Sequence, residues 1–77
     1  MPRQADLERL LQTWYDLENC NPREKGKLRD AFNRLLDDAR AGTSLSRHDL
    51  IQAMADRYRV FKIAKDKETR AALSQLK

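Results

Sequence analysis

The sequence predicts an all-α protein, a small bundle of three to four helices, with a possible helix-turn-helix at about 46–66. Three observations carry that prediction. Apolar residues recur at spacings of three and four, the period of one face of a helix. Two N-cap signatures, Asn21-Pro22-Arg23-Glu24 and Ser46-Arg47-His48-Asp49, divide the chain. Between them Gly42, followed by Thr43-Ser44, supplies a helix stop.

Helix 1 is expected at about 4–20, with Leu7, Leu10, Leu11, Trp14 and Leu17 forming one stripe. Its other side carries Glu8, Arg9, Gln12, Asp16 and Glu18. That acidic balance makes it scaffold rather than a surface for phosphate.

Helix 2 opens with Asn21 as cap, Pro22 at the first helical position and Glu24 three residues after the cap. Leu28, Phe32, Leu35, Leu36 and Ala39 make its apolar stripe. The short connection to helix 1 implies an antiparallel pair. Gly26 costs about 1 kcal/mol against alanine inside a helix. It marks either a close approach to another backbone or a tolerated defect.

Ser46 and Asp49 repeat the capping pattern and open a third helix through Leu50, Ile51 and Met54. Beyond this point two readings compete. An uninterrupted helix to about 66 aligns Leu50, Met54, Tyr58, Phe61 and Ala64 on one face, but it places Arg57 in that seam and Val60 and Ile63 outside it. A break near Ala55 to Arg57 relieves the conflict and yields a helix-turn-helix, with Phe61 and Ala64 inward on its second helix. That match is loose, because alanine stands where glycine is common and Asp56 where an apolar residue is usual. A last segment, Glu68 to Leu76, is rich in helix formers and either packs Leu73 and Leu76 on the core or frays.

With 77 residues the prior is one domain, 1–77, whose core is marginal without a staple or a partner. Self-association as a homodimer is therefore an expectation to test. The single Cys20 makes no internal disulfide, and no apolar run approaches the roughly 18 residues needed to span a bilayer. The first residues show no apolar segment of the secretory kind, so the expected location is the cytoplasm, with no membrane partner.

No glycine-rich phosphate loop, Cys-x-x-Cys, His-Glu-x-x-His or second histidine is present. The expectation is no enzyme, no metal and no cofactor. His48 beside Asp49 is explained by a helix's first turn, where an acid is favoured by the dipole. Cys20 falls near a helix C-terminus, an unfavourable place for a reactive anion. Trp14 belongs to the core stripe, whereas Tyr58, between Arg57 and Arg59, has a hydroxyl within reach of a phosphate partner.

Charge is the informative bulk property. The chain holds 16 Lys and Arg against 12 Asp and Glu. Residues 1–42 hold eight of each sign, so the whole excess of +4 belongs to residues 43–77. Arg57, Arg59, Lys62, Lys65, Lys67 and Arg70 form the cluster, interrupted by Asp66 and Glu68. With a turn at 55–57, Arg59, Lys62 and Lys65 share the exposed side of a recognition helix and Arg47 anchors a phosphate. The competing explanation is a solvated face laced by pairs such as Asp66 with Arg70.

The reading these residues favour is a small basic DNA-binding regulator. The alternative is a protein-interaction module, an adaptor or inhibitor of the kind carried by a phage or other mobile element, with Val60 and Ile63 turned outward. The two differ in one structural feature. A break at 55–57 favours DNA, and a straight helix exposing Val60 and Ile63 favours protein.

Overall fold

The structure, a computed structural model, describes residues 3–75. Three helices account for most of them: α1 (Gln4–Asn19), α2 (Lys25–Arg40) and α3 (Arg47–Gln75). The first two are 16 residues long and the third 29. At 1.5 Å per residue α3 is about 43 Å long, nearly twice the length of either partner. This one element sets the long dimension of the molecule, 49 × 27 × 17 Å.

Most of the two stripes expected for α1 and α2 is used, with Leu17 and Leu28 half-buried outside the core cluster. Leu7, Leu10 and Leu11 meet Leu36 and Ala39 in a core completed by Leu50, Met54 and Tyr58 of α3. Trp14, Tyr15, Phe32, Leu35, Ile51 and Phe61 are partly buried against it. Leu10, Leu36, Leu50 and Met54 are wholly enclosed. Among the described residues no buried side-chain nitrogen or oxygen lacks a partner, which matters because each such orphan costs about 1–3 kcal/mol.

The start of α2 differs from expectation. Residues 22–24 form a turn in which the Glu24 N–H donates to the Asn21 carbonyl (3.0 Å), and the helix proper begins at Lys25 with no side-chain cap. Proline's fixed φ and missing N–H serve the turn as readily as a first helical turn. A Cβ built on Gly26 meets nothing within 4 Å, so this glycine is a tolerated defect and not a close approach.

The stop after α2 is a type II turn. Ala41 lies at φ −58°, ψ 128° and Gly42 at φ 78°, with the Thr43 N–H donating to the Arg40 carbonyl at 2.9 Å. Only the glycine position requires the left-handed region. Thr43 Oγ1 reinforces the turn by donating to the same carbonyl (2.8 Å), and Arg40 Nε holds the Leu45 carbonyl at 3.2 Å. Ser46 caps α3 as expected, its Oγ accepting from the Asp49 N–H at 3.1 Å.

From there α3 continues without interruption through Gln75, so the turn at 55–57, and with it the helix-turn-helix at 46–66, is not formed. The reason is local. No glycine or proline occurs after Gly42, and Ala55, at the proposed turn, is the best helix former of all. The objection that Arg57 would sit in the seam dissolves because α1 and α2 pack toward Tyr58 and Met54, leaving Arg57 exposed at the seam's edge. The described residues form three helices, and the last segment as far as Gln75 is the end of α3, not a separate fourth. Leu73 does not pack on the core and is 61% exposed; Leu76 lies outside the described residues. No helix among the described residues is long and apolar enough to cross a membrane.

Candidate functional site

α3 has two unlike sides, and their difference defines the candidate site. The inner side is closed by aromatic packing and two hydroxyl clasps. Trp14 stacks on Tyr58 with ring centroids 5.0 Å apart, and Phe32 meets the Trp14 ring edge-on at 6.0 Å. Tyr58 donates its hydroxyl hydrogen to Glu18 Oε2 (3.0 Å), and Tyr15 donates to Asp66 Oδ1 (3.0 Å). Both phenols are pushed above their ordinary value. Burial is the main cause for Tyr58, followed by the Glu18 carboxylate, whereas for Tyr15 the hydrogen bond to Asp66 comes first and burial second.

These clasps reassign several residues singled out in the sequence. Tyr58 spends its hydroxyl on Glu18 and not on an external phosphate. Asp66 serves Tyr15 and forms no ion pair with Arg70. Lys62 lies 3.8 Å from Glu18, while Lys65 lies 3.6 Å from Glu68 and 5.7 Å from the Phe61 ring centre. Arg47 donates to Asn33 Oδ1 on α2 at 2.9 Å.

Arg59, Lys62 and Lys65 therefore do not share one exposed side. With or without a turn at 55–57, their spacing of three and three carries them about 120° around the axis, here from the outer face toward the α1 contact. The exposed ion pairs that hold Lys62 and Lys65 are worth little, about 0–1 kcal/mol each, but their positions separate these two lysines from Arg59.

The outer side is open. Val60 is 70% and Ile63 53% exposed. They lie among Arg57, Arg59, Lys67 and Arg70, all exposed and without an ion-pair partner among the described residues. Isolated surface aliphatics are ordinary. Two β-branched ones on adjacent turns, both facing away from the core, form a continuous patch with charge around it. Arg59, Lys67 and Arg70 border this apolar pair and Arg57 flanks it on the side nearer the core, while Arg47, Lys62 and Lys65 lie against other side chains of the chain.

Elsewhere the chain offers less. A shallow cleft between α1 and α3, lined by Ala5, Glu8, Arg9, Gln12, Phe61 and Lys65, is widely open to solvent. Cys20 Sγ donates to the Leu17 carbonyl at the end of α1, 3.4 Å away. No group of three or more His, Cys, Asp or Glu among the described residues is placed to hold a metal ion.

Fold and site together define a class: a three-helix bundle whose long third helix presents a cation-rimmed aliphatic patch away from the core. Comparison with known proteins finds no family model, no curated protein and no solved structure that matches the chain.

Proposed function

We propose that this chain is a protein-interaction module that docks its partner on the outer face of α3. One observation carries the reading: α3 is unbroken and leaves Val60 and Ile63 turned to solvent side by side. Aliphatic side chains on one face of a rigid helix are the usual anchors of helix-to-helix docking, and water expelled from them supplies the driving force. A neighbouring rim of charge then sets orientation and association rate more than strength.

The DNA-binding reading keeps one supporting observation, the four cations without an intramolecular partner. It ranks second because α3 runs on without the turn that would set off a separate recognition helix, and two of its three central bases lie beside carboxylates of the chain.

Two measurements test the proposal. A photo-crosslinking residue placed at Val60 or Ile63, but not one at Asp38 on α2, should capture a protein in the producing cell. Fluorescence anisotropy with a labelled duplex over roughly 50 to 300 mM salt should show no binding. Salt-dependent duplex binding that disappears in the Arg57→Ala, Arg59→Ala, Lys67→Ala, Arg70→Ala variant would establish the second reading instead.

A further inference from the structure

The outer face of α3 has a symmetry that identifies its partner. Ala53, Asp56, Val60, Ile63, Lys67 and Arg70 follow one another at spacings of three, four, three, four and three, the a/d seam of a heptad repeat. All six are exposed. The order of spacings reads the same in both directions about a point between Phe61 and Lys62. When two such helices run antiparallel about that point, Val60 meets Ile63, Asp56 meets Lys67, and Ala53 meets Arg70.

We infer that the occupant of this face is a second copy of the chain, joined through an antiparallel pair of α3 helices with two-fold symmetry. The inference rests on the docking reading above and names its partner. A two-fold interface requires one patch to complement itself, so that residue i meets j and j meets i. This seam does so in shape and in charge. At its centre the two Val60–Ile63 contacts enclose four β-branched side chains. On either side an Asp56 carboxylate faces the Lys67 ammonium of the other copy, and neither group has an ion-pair partner within its own chain among the described residues. At the ends the small Ala53 leaves room for the aliphatic stem of Arg70.

Charge also selects the direction. A parallel pair in register would oppose Asp56 to Asp56 and Lys67 to Lys67, and like charges in facing positions work against association. A core of eight buried residues is small for a free-standing domain, which agrees with a chain that gains from a partner. Two apolar layers make a modest seam, so the dimer should dissociate measurably on dilution.

Sedimentation equilibrium of the whole chain under reducing conditions tests this directly. Wild type should pass from the one-chain to the two-chain mass as concentration rises. Val60→Ser with Ile63→Ser should abolish the change while the circular dichroism spectrum stays helical. Lys67→Asp, which sets Asp against Asp56, should raise the dissociation constant at least about fivefold. The exchange Asp56→Lys with Lys67→Asp should restore it, a rescue that only the antiparallel register gives.

A wild-type chain that stays monomeric at all concentrations, a serine variant that dimerises as well as wild type, or an exchange variant that fails to recover would each overturn the inference. A monomer that still captures a different protein through position 60 would overturn the second copy and leave the docking face standing. A monomer that binds duplex through Arg57, Arg59, Lys67 and Arg70 would overturn both.

Discussion

The Tyr58 hydroxyl on α3 reaches 3.0 Å across to the Glu18 carboxylate on α1, while Trp14, one turn earlier on α1, covers the same ring. This contact joins the middle of the long helix to the end of the first one, and it has a consequence for pH. Burial and the neighbouring carboxylate raise the phenol above the value of 10.0 that it has in the unfolded chain. As pH climbs past that value the unfolded state loses its proton first. Stability is therefore complete below about pH 10 and falls above it until the folded phenol also ionises. Tyr58→Phe should cost about 1 kcal/mol near neutral pH through the lost hydrogen bond, and should flatten the alkaline decline. Urea midpoints at neutral pH and above pH 10 check both effects.

Leu10 and Leu36 are wholly enclosed between the helices. Truncating either to alanine should cost about 2–5 kcal/mol, the range for a buried leucine whose cavity collapses only in part. A domain of this length has only roughly 4–12 kcal/mol in total, so either variant should unfold at a much lower temperature, and the pair together should not fold. Thermal melts by circular dichroism decide it.

The chain's two glycines should respond in opposite directions. At Gly26 the added methyl group finds open space inside a helix, so Gly26→Ala should stabilise by up to about 1 kcal/mol. At Gly42 there is equally open space, but φ is 78°, and Gly42→Ala should destabilise by about 1–2 kcal/mol through backbone strain alone. Chemical denaturation of the two variants separates crowding from conformation.

What the sequence disclosed follows the range of the interactions involved. The stripes of α1 and α2, the Ser46 cap and the Gly42 stop are set within a few residues and were legible. Gly26 was undecidable, since only the surrounding backbone shows whether space is free. The Tyr58–Glu18 and Tyr15–Asp66 clasps join residues 40 and 51 positions apart, and no local pattern announces them. The basic cluster divides at two ranges: Glu18, reached across from α3 by Tyr58, lies beside Lys62, whereas Glu68 pairs with Lys65 within α3 itself. The choice at 55–57 turns on Arg57, which a straight helix places at the seam. A long side chain at the margin of a seam can reach water without breaking its helix.

That continuity is the firmest dividing line between the two functional readings, and it can be measured amide by amide. In the unbroken α3 each N–H from Ala55 to Arg59 donates to the carbonyl four residues earlier. Hydrogen exchange should thus show even protection across 55–59, whereas a turn would leave two or three of these amides exchanging fast. Ala55→Pro should cost about 3 kcal/mol or more, because the ring removes one of these bonds and collides with the Ile51 carbonyl. Ala55→Gly should cost only about 1 kcal/mol. At a concentration low enough to keep the chain monomeric, Val60→Ser and Ile63→Ser, both on the outer face, should each change stability by no more than about 0.5 kcal/mol. Together these results would mean that the helix is rigid through the cluster and that its exposed aliphatics contribute nothing to folding, which leaves docking as the role their burial would serve. Rapid exchange at 55–57 with a mild proline effect would instead restore the turn, and with it the case for DNA.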